Sequence, residues 1–196
     1  MGIADQAYSF KHIEDYWEKT VHPYRSTGNT LSCAAGRMCF MFGMHGPALS
    51  VDTACSSSVV STHLASTALW SGEIDRAAAC GAHSIVAVDM SASFFAAGML
   101  SGESRCKTMD ASADGYVRGE AMGVLVLEAR AVDGLPPDGG RVSLVSTAVN
   151  QDGRSSGLTA PSGLSQQAVI RFALTAGSLA PEAGLASTRT PVVALE

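Results

Sequence analysis

Val51-Asp52-Thr53-Ala54-Cys55-Ser56-Ser57-Ser58 joins an apolar stretch, Ala48-Leu49-Ser50-Val51, to a run of small and apolar residues that ends near Gly72. Ala48 to Thr53 is expected to form a buried strand. Ser56 to Ser71, with Val59, Val60, Leu64, Ala68 and Leu69, is expected to form a helix. Cys55 then sits on a tight turn of small residues where a strand gives way to a helix. Helix N-termini combine partial positive charge with free backbone N–H groups, which favour a thiolate and can stabilise an oxyanion. That makes Cys55 a candidate nucleophile. The competing reading is a small buried hydrophobe, the usual state of a lone cysteine in apolar surroundings.

Working outward, Ala7 to Lys19 carries Phe10, Ile13, Tyr16 and Trp17 at helical spacing. Ser26-Thr27-Gly28-Asn29 is a turn signal, and His45-Gly46-Pro47 breaks the chain again. Beyond the helix, Arg76 to Ala82 and Ser84 to Val88 are predicted strands. Gly123 to Glu128 is predicted as a strand apolar enough to be covered on both faces. Leu135 to Gly140 is the clearest loop and the best boundary between two lobes. Val142 to Val149 is read as a strand, Ser165 to Ala176 as a helix and Pro191 to Leu195 as a strand. Strands alternating with helices imply an α/β layered fold. The chain stops in mid-pattern at Val192-Val193-Ala194-Leu195-Glu196, so truncation of a longer domain is expected.

Composition narrows the function classes. Hydrophobic residues make up 46% of the 196 and charged residues 16%, a balance suited to a buried interior rather than a disordered chain. Thirteen Lys and Arg against eighteen Asp and Glu leave a net charge of −5 with no cationic cluster, which argues against nucleic-acid binding. No apolar run is long enough to span a bilayer, and the opening residues lack a signal-peptide pattern. The five cysteines, Cys33, Cys39, Cys55, Cys80 and Cys106, make no CxxC pair, so neither a disulfide framework nor a zinc site is expected. A cytoplasmic setting fits best.

Asp52-Thr53-Ala54-Cys55-Ser56-Ser57-Ser58 resembles the active-site signature of β-ketoacyl synthases, especially those of type I polyketide and fatty acid synthases. Thr27-Gly28-Asn29-Thr30-Leu31-Ser32 and Gly46-Pro47-Ala48-Leu49-Ser50 are similar to segments that precede the cysteine in that family. Ala97 to Ser101, Arg105-Cys106-Lys107, Asp110 and Ala113 to Glu120 follow in family order. Ala148 to Ser155 and Gly157 to Ser162 complete the set, so the resemblance runs over nearly the whole chain. Gly36, where the family commonly has Asn, and Ala121-Met122-Gly123, in place of a more glycine-rich pair, are mild departures.

The resemblance implies a thiolase-like α-β-α-β-α fold, incomplete here: about residues 1–134 would supply most of the N-terminal lobe, and about 141–196 would open the C-terminal lobe. It implies an acyltransferase in which Cys55 takes an acyl chain from a carrier-protein thioester. Two histidines then assist decarboxylation of a malonyl-type extender, whose carbanion attacks the acyl thioester. The implied partners are a phosphopantetheinyl acyl carrier protein, acyl and malonyl-type thioesters and other synthase domains, with a homodimer in the full-length parent. No resident cofactor or metal is implied. None of His12, His22, His45, His63 and His83 stands in a family histidine motif. The first family histidine follows a strand resembling Val192 to Glu196, so the chain alone is expected neither to condense substrates nor to be readily soluble.

The other polar candidates have simpler readings. His63, on the helix after Cys55, is expected to be a packing or surface residue. Asp110, Asp114, Arg118 and Glu120 are expected to hold a loop and core beside the active site. Asn150-Gln151-Asp152-Gly153 fits either a turn lining the substrate side or an ordinary Asp-Gly turn. Phe94 and Phe95 fit either an acyl-pocket wall or simple core. Two further classes stand beside the ketosynthase: a non-catalytic docking or dimerisation module of the same fold, and a cysteine hydrolase using His63 or His83. Retention of Cys55 counts against the first, and no accompanying signature supports the second.

Overall fold

A computed structural model describes residues 1–2, 23–129, 142–178 and 193–195. The expected Ala7–Lys19 helix and the Leu135–Gly140 loop lie outside the described residues. The elements are α1 (Arg25–Asn29), α2 (Leu31–Phe42), a 3₁₀ turn (Ala54–Ser56), α3 (Ser57–Trp70), β1 (Arg76–His83) and α4 (Asp89–Ala96). They continue with β2 (Ala121–Glu128), β3 (Thr147–Val149), α5 (Gly163–Ala176) and β4 (Val193–Leu195). The chain divides into two compact units. One comprises Met1–Gly2, Val51–Cys80 and Val124–Glu196, and the other Ile3–Ser50 and Gly81–Gly123.

In the first unit, β3 and β4 pair in parallel with Thr147 opposite Val193 and Val149 opposite Leu195. Helices α3 and α5 both pack on this pair. From α5 come the buried Val169, Ala173 and Leu174, and from α3 the buried Ser57, Ser61, Thr62, Ser66 and Leu69. Hydroxyl residues are tolerated there because they bond within the helix: Ser61 Oγ and Thr62 Oγ1 donate to Ser58 O at 2.7 and 2.9 Å, and Ser66 Oγ to Thr62 O at 2.8 Å. Small side chains also let the helix lie close to its neighbours. Helix α5 starts where the Ser162 hydroxyl accepts the Ser165 N–H at 3.3 Å. Asn150–Gly153 forms no hydrogen-bonded turn, and its side chains brace the same end. Asp152 Oδ2 accepts from the Ser162 N–H at 2.8 Å, and Asn150 Nδ2 donates to Ser165 O at 2.8 Å.

The second unit is organised by a narrow loop. Leu100 and Tyr116 form an isolated parallel bridge, with Ser101 N donating to Tyr116 O and Tyr116 N to Met99 O, each at 3.0 Å. Gly115 allows this approach. Its φ is 137°, and a Cβ there would lie 2.6 Å from Leu100 C and Ser101 N. The Phe94 ring from α4 packs edge-on to Tyr116, with centroids 6.4 Å apart, and beneath the Arg118 guanidinium at 5.0 Å.

Several local expectations are corrected. Ser26–Asn29 is not an open turn but most of α1, whose carbonyls are taken by side chains: Asn29 Nδ2 to Arg25 O at 2.8 Å and Thr30 Oγ1 to Ser26 O at 2.7 Å. Ala48–Thr53 is not a buried strand; Val51 alone makes a bridge, to Gly2, and Leu49 is exposed. Ser84–Val88 is not a strand either, because Glu120 Oε1 captures the Ile85 N–H and the Ser84 hydroxyl, groups a strand partner would otherwise meet. Strand β2 has β1 as its sheet neighbour, but Val124, Leu125 and Val126 are exposed rather than covered on both faces. Of Val142–Val149 only Thr147–Val149 is strand. Phe95 is 72% exposed, so it belongs to no core.

Candidate active site

The turn that carries Cys55 is built by the hydroxyl and carboxylate groups around it. Asp52 Oδ1 accepts the Ala54 N–H at 3.0 Å, and the Thr53 N–H donates to Ser57 Oγ at 2.8 Å. Ser57 Oγ in turn donates to Ala54 O at 2.7 Å, and Ser56 Oγ to Thr53 O at 2.9 Å. With its proton committed, the Ser56 oxygen is left to accept from Thr53 Oγ1, 2.8 Å away. These bonds hold Ala54 at φ 54°, in the left-handed region that a non-glycine residue adopts only when its surroundings impose it. The chain reverses within Ala54–Ser56 and enters α3 at Ser57. Cys55 is exposed at the helix start, and α3 has no side chain capping its N-terminus. A nucleophile presented this way can meet an incoming carbonyl, while the Ser56 and Ser57 N–H groups are themselves engaged by Thr53 O and Ala54 O.

The other cysteines are placed differently. Cys80 is buried, Cys33 and Cys39 are partly buried, and Cys106 is exposed with its sulfur accepting the Val117 N–H at 3.2 Å.

Two of the histidines, His63 and His83, have side-chain partners. His63 Nδ1 lies 2.7 Å from Thr147 Oγ1 of β3, and burial pushes its pKa below the ordinary histidine value. His83 Nε2 faces Arg118 Nη2 at 3.3 Å. Since arginine can only donate, this histidine nitrogen is the acceptor.

The carboxylates act as loop braces. Asp114 accepts from Ser101 Oγ at 2.8 Å and pairs with Lys107 Nζ at 3.1 Å, and both bonds hold its carboxyl below the usual carboxylate range. Lys107 also reaches Glu103 at 3.1 Å, and the two carboxylates raise its pKa, Glu103 foremost. The Ser112 N–H and hydroxyl lower Asp110, and the Ile85 N–H and Ser84 hydroxyl lower Glu120. Phe94 serves the Tyr116–Arg118 cluster described above.

Ser57 and the strained Ala54 carry no signal of their own in the sequence. A hydroxyl that ties both ends of a turn looks the same in a string of serines as one that does not. Among the described residues, no group of three or more His, Cys, Asp or Glu is placed to hold a metal ion, and no helix is long and apolar enough to cross a membrane.

Similarity to known proteins places this arrangement. The structure superposes on an oxazolomycin ketosynthase domain from Streptomyces albus with a TM-score of 0.81 at 30% identity, over 92% of this chain and 32% of that one. It also superposes on the ketosynthase from module 6 of the bacillaene synthase of Bacillus subtilis, with a TM-score of 0.71 at 37% identity over 84% and 30% of the two chains. The architecture is therefore part of the thiolase-like α/β fold of ketosynthases. Residues 1–132 match the family described as Beta-ketoacyl synthase, N-terminal domain, and the chain belongs to that family. Among curated relatives, a phenolphthiocerol/phthiocerol polyketide synthase of Mycobacterium tuberculosis is 48% identical over 158 residues, which is 80% of this chain. Highly reducing polyketide synthase 19 of Pyricularia oryzae is 42% identical over 159 residues, or 81% of this chain. The chain spans only 7% and 6% of the lengths of these two relatives.

Proposed function

We propose that this chain provides the nucleophile-bearing part of the β-ketoacyl synthase of a polyketide synthase, with Cys55 as the residue that is acylated. The observation that carries this reading is the exposed Cys55 at the strained turn leading into α3. Membership of the β-ketoacyl synthase family and similarity to polyketide synthases support it.

In this reading the Cys55 thiolate attacks the carbonyl of an acyl thioester carried on the phosphopantetheine arm of an acyl carrier protein. The carrier thiol leaves and the acyl group stays on sulfur. A malonyl-type thioester on a carrier protein then loses CO₂, and the resulting carbanion attacks the Cys55 thioester. The new carbon–carbon bond gives a β-ketoacyl carrier thioester and returns the Cys55 thiolate. About residues 1–134 belong to the lobe that presents the nucleophile, and about 141–196 to the beginning of the second lobe. The working enzyme is an acyltransferase of the 3-oxoacyl-carrier-protein synthase type, a homodimer acting in the cytoplasm beside other synthase domains.

The test is condensation by the synthase that carries this sequence. Given an acyl donor and carrier-bound malonyl, the synthase should release CO₂ and form a β-ketoacyl carrier thioester, and Cys55→Ala should form none. Equal product from both proteins contradicts the proposal.

A further inference from the structure

Gly2 lies against the start of the helix that follows Cys55. Its N–H donates to Cys80 O of β1 at 2.8 Å, it bridges to Val51, and the Val51 N–H donates to Met1 O at 2.8 Å. The Met1–Gly2 backbone is thus held between β1 and the segment that leads into the turn. A Cβ at position 2 would lie 2.3 Å from Ser58 N, 2.4 Å from Ser57 C and 2.6 Å from Ser57 O. All three are backbone atoms, so no change of rotamer relieves the contact and one side has to move.

The strand side is tied along both edges. Helix α3 is pinned further along, where Ser61 Oγ reaches the same Cys80 carbonyl at 3.4 Å and His63 meets Thr147. The Thr53–Ser56 turn, which already holds Ala54 at φ 54°, is left to absorb a displacement. We propose that Gly2 is a positioning residue for Cys55. Its missing side chain sets how closely the first turn of α3 approaches the strand, and so where the sulfur stands relative to the helix-start N–H groups. This inference rests on the reading of Cys55 as the acylated residue.

The test compares two reactions of Cys55 in the synthase that carries the chain. One is single-turnover acylation by an acyl N-acetylcysteamine thioester, and the other is alkylation by iodoacetamide. Acylation needs the sulfur and the oxyanion donors in register, whereas alkylation needs the sulfur alone. A misplacement of about 1 Å can cost about 10²-fold in an oriented reaction. Gly2→Ala is therefore expected to lower acylation roughly 10- to 100-fold while alkylation changes by less than about threefold. Val169→Ala, a truncation in the α5 core, serves as the stability control and should leave the ratio of the two rates unchanged. Should Gly2→Ala alone not fold, adding Ser61→Ala frees α3 from the Cys80 carbonyl, and the double variant carries the same measurement. A wild-type ratio in the folded variant, or equal loss of both reactions, overturns the proposal. Cys55→Ala separates the two claims. An adduct that persists without Cys55 overturns the nucleophile reading itself, whereas an inert Cys55→Ala beside a Gly2→Ala that acylates normally overturns the role of Gly2 alone.

Discussion

The Thr53 N–H donates to the hydroxyl of Ser57 at 2.8 Å, across the turn that carries Cys55. The same hydroxyl returns its proton to Ala54 O at 2.7 Å, so one side chain at the helix start holds both residues that precede Cys55. Ser57 is 4% exposed, although Thr53, Ala54 and Cys55 before it in the turn are exposed. The positive φ at Ala54 is sustained by this clamp together with Asp52.

Ser57→Ala should therefore cost more than a surface serine would. It removes the part-buried bond from the Thr53 N–H, and a hydrogen bond of this kind is worth about 0.5–1.5 kcal/mol. Urea denaturation should show a loss in that range with an unchanged slope. Acylation of Cys55 should fall as well, because the turn loses its fixed geometry. A stability within error of wild type would mean that the clamp does not hold the turn.

His63 offers a sharp contrast with a catalytic base. A general base contributes about 10²–10⁴-fold to a rate. His63→Gln can still bond Thr147, and it is expected to slow acylation of Cys55 by less than about tenfold, well short of that range. The pH dependence has a definite sign. Burial depresses this histidine, so the fold favours its neutral form. Its contribution to stability is present above the ordinary histidine range and is lost as pH falls through the depressed value. Between pH 8 and 5 the urea midpoint of wild type should fall relative to that of His63→Gln, beginning in the window set by the unperturbed value of about 6.5. A wild-type midpoint that gains on His63→Gln as pH falls would contradict the assignment.

The Asp114–Lys107 brace should make the Leu100–Tyr116 loop sensitive to acid. Asp114 is lowered by Ser101 and then by Lys107, so its stabilisation is present above the usual carboxylate range and lost as pH falls through the lowered value. Lys107, raised by Glu103 and Asp114, keeps its contribution until pH rises through its own raised value. Asp114→Asn should flatten the acid side of the stability profile and expose the amides of residues 99–116 to faster hydrogen exchange at neutral pH. Unchanged exchange there would show that the brace does not order the loop.

The turn and its helix are legible in the sequence because their signals are local. Small residues crowd around Cys55, a run of small and apolar residues follows, and Gly72 with φ 73° closes it. Helix α5 is legible for the same reason, and the structure extends it only to Gly163. Expectations fail where distant residues decide the outcome. Ser84–Val88 has strand composition, yet Glu120, 35 residues from Ile85, takes its backbone donor. Ala48–Thr53 has strand composition too, but Val51 finds a partner only in Gly2. Helix α2 carries Leu31, Ala34, Ala35, Met38 and Cys39 at helical spacing on its covered side, a periodicity masked in the sequence by the equally apolar Phe40, Met41 and Phe42, which stay exposed. The role of Ser57 is hidden among its neighbours, since Ser56, Ser57 and Ser58 have the same composition and differ only in their bonds.

The most direct measurement is peptide mapping by mass spectrometry after the synthase carrying this chain is incubated with an acyl N-acetylcysteamine thioester and no extender. The acyl mass is expected on the peptide containing Cys55, resistant to rapid hydrolysis and absent from Cys55→Ala. Cys106 is the informative comparison, since it is also exposed but sits at no helix start. An acyl mass led by Cys106, spread equally over the five cysteines, or present unchanged in Cys55→Ala would contradict the account.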